Sequence, residues 1–171
     1  MNLPERFAMG DLEAFELLFR QFQGDVYRWL VRLTRDPAAA EDLTVEVFWR
    51  IYRARARFDA SRSFGAWARR IASNAAVDHL RKVRRQTAAQ PSPPASTTHS
   101  SAERDLQVRI ERSFVRLPPK LKVVAELAFV DGWPQDEIAE ALGISRTAVK
   151  FRAIRARKFL INAFEQEGIV R

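Results

Sequence analysis

The chain contains no cysteine, so disulfide scaffolding and thiol chemistry are both excluded. Histidine is almost as scarce, with two in 171 residues, and without thiolates beside them two imidazoles are a poor basis for a zinc site. No apolar run approaches the roughly 20 residues that span a bilayer, and Met1 to Gly10 lacks the apolar centre of a secretory signal. The expectation is a cytoplasmic protein with no membrane insertion, no metal and no cofactor. Acidic residues are outnumbered, 21 Asp and Glu against 29 Lys and Arg, for a net charge of +8. That surplus favours a polyanionic partner such as nucleic acid. A ribosome-associated or membrane-surface protein would carry the same surplus.

Charge and bulk are both missing from one stretch, Thr87 to Ser101, which is built of Ala, Gln, Pro, Ser, Thr and a single His. Nothing in it can offset the entropy of ordering, so it reads as a flexible linker. Residues 1–86 then form one domain and residues 102–171 another. The first holds 16 Lys and Arg against 11 Asp and Glu and the second 13 against 10, leaving +5 and +3. Both halves are basic enough to meet the same polyanion.

The most informative stretch is Gln135 to Leu160. Gln135 to Leu142 reads as a short helix, Gly143-Ile144-Ser145 as a tight turn, and Arg146 onward as a second helix with Ser145 as its N-cap. This is the outline of a helix-turn-helix. The crossing needs a small residue at Ala139, tolerance of positive φ at Gly143, and apolar anchors at Ile138, Leu142, Ile144 and Val149. On the second helix Val149, Ala153, Ala156 and Leu160 make one narrow apolar stripe. The other face is left to Arg146, Thr147, Lys150, Phe151, Ile154, Arg155 and Lys158. Cations for phosphates and guanine edges, with apolar atoms for thymine methyls, suit a major groove. A plain amphipathic hairpin with a solvated basic face is the competing reading.

The first half reads as helical throughout. Asp11 can cap a helix in which Phe15, Phe19, Phe22, Val26, Trp29, Leu30 and Leu33 keep a three-to-four-residue rhythm, with a bend allowed at Gly24. Asp36-Pro37 starts the next, Asp as cap and Pro in the first turn. That helix, Ala38 to about Arg57, has too many large apolar groups for one face. Leu43, Val47, Phe48 and Ile51 point inward, while Val45, Trp49 and Tyr52 lie on a neighbouring face. Either a protein partner covers that face, or the domain is thick enough to bury both. Arg57 to Ser63 is a polar loop with one aromatic, Phe58, and Ser63 caps a helix from Phe64 to Arg85. Phe64, Trp67, Ala68, Ile71, Ala72, Ala75 and Leu80 form its buried side. Arg70, Asn74, Asp78, Arg81 and Arg85 share another face, where an amide and a carboxylate among cations can discriminate base edges. The aromatic loop before it can take up an unstacked base; a merely solvated charged helix is the alternative.

With these residues in place, the chain resembles bacterial RNA polymerase sigma factors of the extracytoplasmic-function type, in the sigma-70 family. The first half matches through Ala40-Glu41-Asp42-Leu43-Thr44, Glu46-Val47-Phe48, Phe64, Trp67, Ile71-Ala72, Asn74, Asp78 and Arg81. The second matches through Leu117-Pro118-Pro119, Glu137-Ile138-Ala139, Leu142-Gly143-Ile144-Ser145, Val149-Lys150 and Arg155-Ala156-Arg157. The resemblance implies an all-α fold: a region 2 helical bundle and a region 4 helix-turn-helix joined by a linker. It implies that Asp42, Val45, Glu46, Trp49 and Tyr52 dock on the β′ clamp helices of core polymerase. Phe58, Asp59, Ser61, Arg62, Trp67, Arg70, Asn74, Asp78, Arg81 and Arg85 would recognise and melt the minus-10 element of promoter DNA, with Phe58 and Asn74 holding a flipped base. Ser145, Arg146, Thr147, Lys150, Phe151, Ile154, Arg155 and Lys158 would read the minus-35 duplex, near the β flap. An anti-sigma protein is the expected regulator. The chain departs from the family pattern at Val45, where Gln is usual, and at Ala148, Phe151 and Ala153, where Thr, Ser and Leu are usual.

Two other classes compete. A stand-alone helix-turn-helix regulator would bind one duplex site without polymerase and leave the Trp49 face without a purpose. A metal-dependent nuclease could be suggested by Glu41, Asp42 and Glu46, but on a helix Asp42 and Glu46 share a face while Glu41 points away. No enzyme activity and no catalytic residue are expected.

Overall fold

The computed structural model describes residues 1–89 and 102–170. No strand occurs among them, so the all-α expectation is borne out. Their contacts fall into two compact units, one of Met1–Asp78 with Ala139–Ile144 and one of His79–Ile138 with Ser145–Arg171.

In the N-terminal part, α1 (Leu3–Ala8) is a helix that hydrophobic rhythm alone does not reveal. It is set by a capping box: Glu5 N–H donates to the Asn2 side chain at 2.9 Å and Asn2 N–H to the Glu5 carboxylate at 2.8 Å. Its purpose in the packing is Phe7, which is fully buried and contributes about 1.5–3 kcal/mol by leaving water. Next comes α2 (Leu12–Thr34), opened by the Asp11 carboxylate, which accepts from Glu13 and Ala14 N–H. It runs through Gly24 without interruption and ends at Arg35, whose left-handed backbone (φ 56°) lets its N–H bond Val31 O at 2.8 Å.

Asp36 then caps α3 (Pro37–Ala54) by accepting from Ala39 N–H at 3.1 Å. A 3₁₀ turn, Arg55–Arg57, follows, so the helical stretch expected from Ala38 to Arg57 is α-helical only to Ala54. Leu43, Val47, Phe48 and Ile51 are buried as expected. The fourth helix, α4 (Phe64–Ala89), is begun by Ser63, whose hydroxyl accepts from Ala66 N–H at 3.3 Å. It keeps Phe64, Ala68, Ala72, Ala75 and Leu80 out of water. Trp29 on α2 donates from Nε1 to the Ser73 hydroxyl on α4 at 3.0 Å, which satisfies a buried indole N–H. Because α4 extends to Ala89, Thr87 to Ala89 are helical; the rest of the stretch read as a linker, 90–101, lies outside the described residues.

In the C-terminal part, α5 (Ala102–Val115), α6 (Pro119–Ala125), a π-helical turn (Glu126–Val130), α7 (Gln135–Leu142) and α8 (Arg146–Gln166) follow in order. Leu117, Leu121, Ala125, Ala156 and Leu160 form a core against which Phe114, Phe159 and Phe164 pack. Pro119 stands in the first turn of α6, where its missing N–H costs nothing. Arg109 on α5 and Arg116 just beyond it hold the far end of α8: Arg109 donates from Nη2 to Glu167 O, and Arg116 donates to the Gln166 side chain at 3.3 Å. Cations there meet the negative end of the helix dipole.

Candidate nucleic-acid and polymerase interfaces

The helix-turn-helix forms from its own local bonds. Ile144 N–H reaches Ala139 O at 3.0 Å and Gly143 N–H reaches Glu140 O at 3.2 Å. Gly143 takes the positive φ that this turn requires, at 66°. The Ser145 hydroxyl accepts from Ala148 N–H at 3.1 Å, fixing the start of α8. Ile138, Ala139, Leu142 and Val149 are buried and Ile144 half-buried.

Of the stripe expected on α8, Val149, Ala156 and Leu160 are inside and Ala153 is half-buried. Ser145, Arg146, Thr147, Lys150, Phe151, Ile154, Arg155 and Lys158 are all exposed. Phe151 is 62% and Ile154 55% exposed, a large apolar area for a basic face to show to water. One feature beyond the sequence reading is an acid on this face: Asp136 in the first turn of α7 lies 2.6 Å from Nε of Arg146.

The outer face of α3 is equally open. Val45 is 69% and Trp49 58% exposed, so the alternative of burial on both faces fails. Trp49 stacks on Tyr52, ring centres 6.4 Å apart. Tyr52 is half-buried, packs on Phe15 and carries the Arg55 guanidinium over its ring at 4.4 Å. Asp42 and Glu46 are exposed, Glu46 being paired with Arg50 one turn on. With Glu46 held by Arg50, the three carboxylates of this helix do not converge, and no group of His, Asp and Glu among the described residues could hold a metal ion.

The loop and helix read as the minus-10 interface divide into two kinds of residue. Phe58 is not on the surface: it is 7% exposed, with its ring 4.8 Å from Trp67, 5.7 Å from Phe64 and 6.1 Å from Phe7. The environment of Phe58 in this structure is that of a core residue. A polar loop around a lone aromatic is ambiguous, because the three rings that claim it come from elsewhere in the chain. Trp67 remains half-buried.

Asp59 is engaged within the loop. Its Oδ1 accepts from the Ser61 hydroxyl at 2.6 Å and from Ser61 N–H at 3.0 Å, and Arg62 Nε lies 3.4 Å from Oδ2. The Ser61 hydroxyl, then its N–H, with Arg62 beside them, hold the Asp59 carboxyl below the usual carboxylate range. Asp59 and Ser61 thus shape the loop, and Arg62 is exposed. Along α4, Asn74, Asp78, Arg81 and Arg85 are exposed and Arg70 half-buried.

Two family models match the chain: Sigma-70 region 2 over residues 18–86 and Sigma-70, region 4, over residues 107–160. The chain belongs to the extracytoplasmic-function class of the sigma-70 family. The RNA polymerase sigma factor CarQ of Myxococcus xanthus is 35% identical over 155 residues, covering 88% of this chain and 89% of that protein. The ECF RNA polymerase sigma factor SigM of Mycobacterium tuberculosis is 30% identical over 153 residues, 86% of this chain and 76% of the relative. In fold, the chain is similar to CnrH, solved in complex with the cytosolic domain of CnrY, at a TM-score of 0.57 and 24% identity over 96% of both chains. It is also similar to the sigma factor RpoE of Bartonella quintana, solved in complex with the anti-sigma factor NepR, at a TM-score of 0.53 and 17% identity, covering 88% of this chain and 96% of that one. A stand-alone regulator is not favoured beside these matches. Factors of this family initiate transcription at promoters.

Proposed function

We propose that this sigma factor joins core RNA polymerase through the outer face of α3 and gives it promoter choice through α4 and α8. The carrying observation is the coexistence in one chain of an exposed aromatic face on α3 and an exposed cationic face on α8. An adaptor between a protein and a duplex needs both. Residues 1–86 act as region 2 and residues 102–171 as region 4. Val45, Trp49 and Tyr52 supply the apolar part of the contact with the β′ clamp helices, and Asp42 and Glu46 its charged rim.

Asn74, Asp78, Arg81 and Arg85 meet the minus-10 strand. Phe58 supports the loop from within, and Trp67, the more exposed ring, is the better placed to meet a base. Base pairs open because holding an extruded base and its strand recovers part of the few kcal/mol that unstacking costs. α8 reads the minus-35 duplex by Arg146, Lys150 and Arg155, with Phe151 and Ile154 toward thymine methyls, near the β flap. The polymerase performs the nucleotide chemistry, and the two work together in the bacterial cytoplasm. Structural relatives solved with CnrY and with NepR support an anti-sigma protein as regulator.

The test is association with core polymerase. The parent chain is expected to co-elute with core enzyme, and Trp49→Ala to bind about thirty-fold more weakly with its thermal midpoint unmoved. Unchanged affinity in the variant contradicts the α3 assignment, and no association of the parent overturns the reading.

A further inference from the structure

Arg146 is the first helical residue after the Ser145 cap, at the end of a recognition helix from which base edges are usually reached. Its Nε lies 2.6 Å from Oδ1 of Asp136, and both side chains are otherwise open to water, 71% and 66% exposed. An acid at this place repels DNA phosphates, so for duplex affinity alone it is a handicap. The ion pair limits where the Arg146 guanidinium can lie without reaching DNA itself. A guanidinium so placed can offer two N–H groups in its plane to the paired acceptors O6 and N7 of guanine.

We propose that Asp136 is a positioning residue for base recognition: its ion pair with Arg146 presents the guanidinium to one base pair of the minus-35 duplex, sharpening discrimination while lowering overall affinity. This rests on the reading of α8 as the duplex-binding helix. Asp136 touches no base itself. Its other effect, an acid in the first turn of α7, favours the helix dipole and would change stability alone.

The experiment uses holoenzyme reconstituted from core polymerase and the full chain, bound to a selected promoter duplex and to its single-base variants across the minus-35 segment. Parent, Asp136→Asn, Asp136→Glu and Lys150→Ala chains are compared over a range of salt. The parent is expected to reject the wrong base at one position by roughly tens of fold. Asp136→Asn should reduce that ratio to a few fold at that position only, with affinity for the other duplexes equal or higher. Asp136→Glu should restore most of the ratio. Lys150→Ala should weaken all duplexes alike and lower the salt slope by about one. Parental discrimination at every position in Asp136→Asn, or an equal loss at all positions, overturns the proposal. Should Lys150→Ala leave affinity and slope untouched, α8 is not in the groove, and the functional reading falls together with the proposal.

Discussion

Arg50 on α3 reaches Asp78 on α4, its Nη1 donating to Oδ2 at 3.2 Å. The other side of the same guanidinium is held by Glu46, with Nε 2.9 Å from Oε1. Glu46 belongs to the face proposed for polymerase and Asp78 to the face proposed for DNA, so one arginine ties the two together. All three side chains are partly exposed, at 37%, 47% and 53% for Arg50, Glu46 and Asp78. Water therefore screens the pair. A double-mutant cycle with Arg50→Ala and Asp78→Ala, read by urea unfolding, is expected to give a coupling of no more than about 1 kcal/mol. A coupling above about 2 kcal/mol would show that the bridge is sealed from solvent and holds the fold.

Phe58 and Asn74 separate support from contact. Removing a buried ring among Phe7, Phe64 and Trp67 leaves a cavity, and Phe58→Ala is expected to cost about 3–5 kcal/mol of stability. Asn74→Ala, at an exposed position, should stay within about 0.5 kcal/mol of the parent. It should nonetheless reduce permanganate reactivity of promoter thymines in the holoenzyme complex. Equal reactivity in Asn74→Ala and parent removes that residue from the melting surface, and a stable Phe58→Ala contradicts its place in the core.

Asp11 makes stability depend on acid. Its carboxylate accepts from Ala14 N–H at 3.2 Å, from Arg6 Nε at 2.7 Å and from Glu13 N–H at 2.9 Å. The Ala14 N–H first, then Arg6, hold it below the usual carboxylate range. A native value below the unfolded one means that the contribution is complete above about pH 4 and fades as pH falls through the lowered native value. Asp11→Asn keeps a capping oxygen and removes the charge. The gap in thermal midpoint between parent and Asp11→Asn is expected to narrow from pH 6 to pH 3. A gap that stays constant or widens contradicts the sign.

Local chemistry was the readable part. The caps Asp11, Asp36, Ser63 and Ser145 and the positive φ of Gly143 depend on a few neighbouring residues, and the structure has them where expected. The two faces of α3 were legible because a helix spaces residues regularly. What escaped was non-local or short. The six-residue α1 is too brief to show a rhythm, although Asn2-x-x-Glu5 with Pro4 between them was a usable signal. The burial of Phe58 follows from rings on α1 and α4 that no stretch of sequence places beside it. The Asp136–Arg146 pair crosses a turn, and its 2.6 Å separation depends on how that turn closes.

The most direct measurement is transcription from a genomic DNA pool with purified bacterial core polymerase and this chain, reading every RNA 5′ end. The expected result is a set of defined start sites that appear only with the chain present and share two upstream sequence blocks, near minus-35 and minus-10. Starts that are the same with and without the chain would contradict it.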